Sequence, residues 1–480
     1  MIDSACPSIE LSRSRHALPA ASLRLSEVVS ALSFALDITE GQPMGHATRS
    51  CVIGMRIGML IGLTPKEQSS LFYALLLKDL GCSSNAARLC TLFEADDRAL
   101  KHVYKLTDWT DLRASAGYVF HHAMPGASAL SRALRTLRLG TNADAINRGM
   151  VTTRCERGAE IVRRIGLDDG TVDAIRALDE HWGGSGMPYG LRGAQIPILA
   201  RICGLAQTME VFLAAEGPAG AFAMLRRRSG TWFDPQLVRA LLSIESDAAF
   251  WTHDVPMATL DEISALEPRD GLLGADEERL DQIAVAFAMV IDAKSPFTAR
   301  HSEGVAAIAE AIGVDLGLDD DVRRSLRRAA LLHDIGKLGV SNLILDKPGK
   351  LTPEEFDEVK KHPAFTGEIL RRVTAFSDIA GIASQHHERL DGRGYHSGLT
   401  GEDLGLLARI LAVSDVAEAL SADRPYRAGL SLAEVREILA RQSGTGLCSA
   451  VVESFAGLAE LPRPTGAPLT CDLMPGVAAA

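Results

Sequence analysis

Apolar residues recur every three or four positions through most of the chain, the period of a helix with one buried face. The stretches Ile308 to Ile312, Arg324 to His333, Glu354 to His362, Phe365 to Val373 and Leu406 to Leu420 all carry this spacing. Thr352-Pro353-Glu354-Glu355 marks a helix start, with Thr as the cap and Pro in the first turn. No run alternates apolar and polar residues as a half-buried strand would, so the predicted fold class is all-α.

The pattern repeats within the chain. His46-Ala47-Thr48-Arg49 lies over His301-Ser302-Glu303-Gly304, and Leu76-Leu77-Lys78-Asp79-Leu80-Gly81 over Leu331-Leu332-His333-Asp334-Ile335-Gly336, both at an offset of 255 (334 − 79 = 255). Gly190-Leu191 and Leu199-Ala200-Arg201-Ile202 lie over Gly398-Leu399 and Leu407-Ala408-Arg409-Ile410 at 208 (407 − 199 = 208). The difference, 255 − 208 = 47, implies an insertion of that size in the first half, about residues 99–147. Two tandem helical domains of one type follow. The expected bounds are 22–250 and 276–461, with a Pro- and Gly-containing linker at 251–275 and a proline-rich flexible tail at 462–480.

Composition narrows the function. In 480 residues the aromatics are only 5%, which fits helices better than sheets, and the eight cysteines form no CxxC pair. Free thiols suit a reducing compartment, and neither a signal peptide nor a run of about 20 apolar residues is read from the sequence, so a cytoplasmic address is expected with no membrane contact. A formal net charge of −11 argues against direct nucleic acid binding through a broad basic surface. An anionic small ligand would need a local cluster of Arg and Lys.

The candidate chemistry sits in the second half. His333-Asp334 ends a helix, and alone reads first as a capped helix end rather than a metal site. His386-His387 is a second adjacent pair. His362 is read as closing the helix from Pro353, and His301 as opening one. Asp415 lies inside the apolar run Ile410 to Ala417, where a carboxylate is costly unless paired or metal-bound. Five histidines and two aspartates, in a chain with 13 histidines, supply enough nitrogen and oxygen donors for two divalent ions.

These residues, with Gly336-Lys337, Glu388 and Asp391-Gly392-Arg393-Gly394-Tyr395, stand in the order and approximate spacing of the HD-GYP cyclic di-GMP phosphodiesterases, which residues 276–461 resemble. The resemblance implies His301, His333, Asp334, His362, His386, His387 and Asp415 as ligands of two divalent ions, manganese or iron, with Asp334 bridging. It implies Asp334 and Lys337 as catalytic residues, and Arg424, Arg427, Lys337 and Tyr395 as substrate contacts. The implied reaction is hydrolysis of cyclic di-GMP to the linear dinucleotide, with GMP as a further product left open. One departure is His396, where the family has Pro; it bears on the loop's geometry and on any protein partner docking through Gly394-Tyr395-His396. Some members hold a third metal through a Glu one turn before the first His. Here that position is Phe297, and Asp292 reads as too distant unless the segment before Pro296 folds over, so two ions are expected.

The first half has lost the pattern. Lys78 stands for His333, Cys82 for Lys337, Arg154 for His362, Leu178 and Asp179 for the His pair, and Gln207 for Asp415, although a shifted alignment could bring in His181. It is expected to be a degenerate HD domain acting as scaffold, homodimer surface or sensor. Two other functions stay open: a general HD nucleotide phosphohydrolase, and a low-activity effector that senses cyclic di-GMP or recruits proteins.

Overall fold

The computed structural model describes residues 23–109, 111–251, 260–268, 272–298, 300–423 and 428–464. Arg424, Arg427 and the tail from 465 onward lie outside the described residues. The described chain is all-α: helices joined by turns and short 3-10 segments, with only four isolated β-bridges.

The two halves follow the offsets in the sequence. His46–Leu60 and Pro65–Leu77 correspond to His301–Asp315 and Asp320–Leu332, and Asp169–Arg176 corresponds to Ser377–Ser384. Asp97–Tyr104 lies over Pro353–Val359, the inserted segment supplies the helices Leu112–His122 and Ala129–Gly140, and its Tyr118 joins Leu89, Phe93, Leu100 and Met150 in a small core of their own. A single larger core runs through both halves, from Leu25, Leu32 and Phe72 to Phe287, Leu331 and Phe376. Each such residue contributes roughly 1.5–3 kcal/mol by leaving water, which favours the halves staying together.

Part of 251–275 is built into the first half. Ile263 is fully buried, and the carboxylate of buried Glu267 accepts from Ser26 Oγ at 2.7 Å and from the Tyr73 hydroxyl. Leu25 N donates to Leu273 O at 2.8 Å and Ala275 N to Leu23 O at 3.0 Å.

Three expectations need correction. The helix Ile198–Arg228 is long and apolar enough to cross a membrane, against the expectation that no stretch is. It is a core helix instead: 67% of its apolar window is buried, and Gly217 at φ 71° followed by Pro218 breaks it. The helix from Pro353 ends at Val359, and His362 opens the next one, His362–Arg371, with Pro363 in its first turn. Phe297 is not one turn before His301 on a shared helix. Glu277–Asp292 stops, the chain turns, and Arg300 in a left-handed conformation (φ 60°) starts His301–Asp315 afresh. The segment folds back so that Asp292 accepts from Ser302 Oγ at 2.7 Å.

Candidate metal centre

Five helices and one turn deliver seven donor side chains to one buried point. His301 is the first residue of its helix, and Asp415 faces it from Leu406–Ser421, with Asp415 Oδ1 3.3 Å from His301 Nε2. His333 caps Asp320–Leu332, Asp334 follows at the start of the 3-10 turn Ile335–Gly339, and His362 opens its helix. His386 and His387 come just after Ser377–Ser384.

The turn after Asp334 depends on a close backbone approach. A Cβ on Gly336 would lie 2.0 Å from the His362 carbonyl oxygen, so no side chain fits there. Thr366 Oγ1 accepts from Gly336 N at 3.0 Å and donates to His333 O at 2.8 Å, tying the His-Asp pair to the His362 helix.

Backbone carbonyls set the imidazoles. Nδ1 of His333, His362 and His386 each donates to the carbonyl three residues earlier, Ala330, Val359 and Ala383, at 2.7, 2.6 and 2.7 Å. That leaves each Nε2 as a bare lone pair turned inward. His362 Nε2 and His386 Nε2 are 3.2 Å apart, and two lone pairs that close call for a cation between them. His333 Nε2 and Asp334 Oδ1 are buried with no hydrogen-bond partner among the described residues. Buried polar atoms of this kind are normally satisfied, so these donors fit metal ions.

The geometry divides into two groups around Asp334. Its Oδ1 lies 3.3 Å from His362 Nε2 and 3.7 Å from His386 Nε2, whereas its Oδ2 lies 3.6 Å from His301 Nε2 and 3.4 Å from His333 Nε2. His362, His386 and His387 have donor atoms within 4.8 Å of one another, as do His301, His333 and Asp415. Burial holds His362 and His386 below the ordinary imidazole range and His387 down at about 3, which keeps them neutral as ligands. Burial works against the charge on Asp334, but His333 and Lys337 outweigh it and hold the carboxyl well below its usual range. Lys337 Nζ donates to Asp334 Oδ2 at 2.5 Å.

Of the expected substrate contacts, Lys337 and Tyr395 are at the centre, the Tyr395 ring 4.7 Å from that of His387. The Gly394-Tyr395-His396 loop is held by Glu388, which is 2% exposed and accepts from Ser397 N at 2.7 Å and Leu399 N at 3.0 Å. Its counterpart Glu180 accepts from Tyr189, Gly190 and Leu191 N at 2.7–3.1 Å, so both halves anchor this loop alike with or without Pro.

Glu418 was not among the expected residues. It accepts a very short bond from His301 Nδ1 and fixes the ring so that Nε2 faces Asp415. Burial opposes the charged form of His301, but Asp415 and Glu418 raise it to about 10. Lying three residues beyond Asp415, Glu418 shares its helix face, which is the signal the sequence offered.

The first half carries the same frame with most of the ligand positions replaced. His46 opens its helix after left-handed Gly45, and Glu210 accepts from His46 Nδ1 as Glu418 does from His301. A Cβ on Gly81 would meet Arg154 O at 1.9 Å, the counterpart of the Gly336 approach. At the centre, Lys78 Nζ pairs with Asp79, joined by Lys105 Nζ at 3.3 Å and Arg154 Nη2 at 3.4 Å. Arg154 also holds Asp179 at 2.7 Å, and Lys105 holds Glu40 at 2.9 Å. Although Glu40, Asp79 and Cys82 are close enough to hold an ion, the three cations already fill that role. His181 does not enter: it stacks on Trp232 with ring centres 4.1 Å apart.

The sequence profile of the HD domain family matches residues 131–237 and 286–448. Over 434 residues the chain is 41% identical to 3'3'-cGAMP-specific phosphodiesterase 3 of Vibrio cholerae, covering 90% of this chain and 94% of that protein. It is 43% identical over 151 residues to a cyclic di-GMP phosphodiesterase of Pseudomonas aeruginosa, covering 31% and 36%. The crystal structure of a cyclic GMP-AMP-specific phosphodiesterase from V. cholerae superposes with a TM-score of 0.61 at 36% identity, covering 90% of this chain and 97% of that one.

Proposed function

Because the chain belongs to the HD domain family, as an HD-GYP-type phosphodiesterase, we propose that its second half hydrolyses a guanine-containing cyclic dinucleotide at the seven-residue centre. The observation that carries this reading is the pair of buried, partnerless ligand atoms, His333 Nε2 and Asp334 Oδ1, amid four further imidazoles and Asp415.

His301, His333 and Asp415 would hold one divalent ion, His362, His386 and His387 a second, and the two oxygens of Asp334 would face one each. An all nitrogen and oxygen donor set without thiolate suits manganese or iron. When bound, such ions would supply Lewis acidity, lowering the pKa of a water and offsetting negative charge on the phosphate oxygens. Lys337, 2.5 Å from Asp334, offers an ammonium to the charge growing on the phosphoryl oxygens. Tyr395, over His387, offers a ring face and a hydroxyl to the substrate beside the cleaved phosphate. Arg424 and Arg427, seven and ten residues past the end of the Asp415 run at Ala417 (424 − 417 = 7, 427 − 417 = 10), supply further phosphate contacts in this reading.

Two substrates follow from two observations. The family resemblance of residues 276–461 points to cyclic di-GMP, whereas similarity to a 3'3'-cGAMP-specific enzyme along nearly the whole chain favours 3'3'-cGAMP. Purified protein loaded with Mn(II) or Fe(II) is to be incubated with each dinucleotide and the products separated by chromatography. We expect a linear dinucleotide from at least one, faster from 3'3'-cGAMP; no product from either, with both ions bound, sinks the proposal.

A further inference from the structure

The 3-10 turn that carries Lys337 is clamped from two sides. Its inner side is tied to the His362 helix through Thr366, as described above. Its outer side is held by the helix Asp97–Tyr104 of the first half. Arg98 Nη1 donates to Gly339 O at 2.5 Å, and Asp97 Oδ1 accepts from Asn342 N at 3.1 Å, three residues further on. Asp97 is fully buried. Its other oxygen faces Lys101 Nζ at 3.5 Å and Lys294 Nζ at 3.8 Å. Lys294, itself 2% exposed, donates to Leu338 O at 3.2 Å. Two consecutive carbonyls of the turn, Leu338 and Gly339, thus accept from cations that depend on Asp97 or adjoin it.

At the offset of 255, Asp97 and Arg98 lie over Thr352 and Pro353, so these two charges are not shared with the second half. A buried carboxylate is costly unless paired, and an apolar contact would hold two packed surfaces together without one. What the charged groups add is direction: they fix the backbone carbonyls immediately after Lys337, and with them the angle at which its ammonium meets Asp334. We infer that Asp97 and Arg98 are positioning residues for the turn bearing Lys337, so that the first half sets the working geometry of the second. This rests on the proposed catalytic role of Lys337.

The test uses the full-length chain. Relative to wild type, Arg98→Ala is expected to lower kcat roughly tenfold with KM changed less than about twofold and metal content intact, while Arg98→Lys, which keeps a donor for Gly339 O, recovers most of the rate. In a Lys337→Ala background, Arg98→Ala should lower kcat by less than about twofold, because the group it positions is gone. A readout independent of turnover comes from amide hydrogen exchange on metal-stripped protein. In Arg98→Ala the amides of 337–342 should exchange faster while those of 301–312 keep their wild-type protection. Unchanged exchange at 337–342, or a kinetic loss that multiplies undiminished onto Lys337→Ala, overturns the inference. If wild type turns over neither dinucleotide, the functional reading fails, and the exchange experiment alone decides the coupling.

Discussion

Glu418 accepts the Nδ1 proton of His301, and this one bond decides which nitrogen of the imidazole faces Asp334 and Asp415. Glu418→Ala is therefore expected to weaken metal binding about 10–100-fold without unfolding the protein, the usual cost of losing a ligand's orienting partner. Glu418→Gln, which keeps an acceptor, should lose less. Titration of metal-stripped protein with Mn(II), followed calorimetrically, checks the order; equal affinities for wild type and Glu418→Ala would refute it.

Asp334 and Lys337 touch each other yet should fail differently. Asp334→Ala is expected to lose both bound metal and detectable turnover, since one carboxylate is asked to face two ions. Lys337→Ala should keep the metal and lose about 10²-fold in kcat, the scale of removing one group that stabilises developing charge. Metal analysis beside the rate separates the two, and normal metal content in Asp334→Ala would refute the bridging role.

In the first half Asp79 neutralises Lys78, Lys105 and Arg154 at once. Asp79→Ala leaves those cations buried together and should cost about 3–5 kcal/mol of stability. It should not change the metal content of the full-length protein, because this centre is expected to hold none. A drop of one ion per chain in this variant would contradict that expectation.

His46 gives a pH signature. Burial and the nearby Lys78 push its imidazole down to about 4, so the unfolded chain, titrating near 6.5, takes up a proton the folded one refuses. The stability from its neutral form is complete above about pH 6.5 and drains away as pH falls toward 4. In His46→Gln that loss should be absent. The urea midpoints of the two proteins should therefore converge between pH 6.5 and pH 4, and parallel midpoints would rule His46 out as the source.

What the sequence made legible follows from how local each signal is. His333, Asp334, His386, His387 and Asp415 sit at helix ends or within apolar runs, where polar residues stand out, and they do converge. Glu418 and Glu210 escaped notice because a helical glutamate reads as solvated. Yet the repeat kept an acid at both places (418 − 210 = 208) while losing the ligand three residues earlier, Gln207 against Asp415. The misplaced boundary at His362 and the assumed helix through Phe297 share one cause. Local periodicity carried across Lys360–Lys361 and Pro296, where the chain in fact turns. Lys105 lies in the insertion, Asp97 and Arg98 lie over the uncharged Thr352 and Pro353, and the contacts of all three exist only in the folded chain.

The ammonium of Lys78 has a consequence for how the protein is made. A centre built from imported ions is complete only when the cell supplies them, because ion binding and stability are linked. The first half emerges from the ribosome first and carries its cation on its own backbone, one residue from the carboxylate it neutralises. It can close in a cell starved of transition metals and wait there as a finished surface. The second half, with its full set of imidazoles and carboxylates, is expected to assemble against that surface and to gain its ions as a separate step.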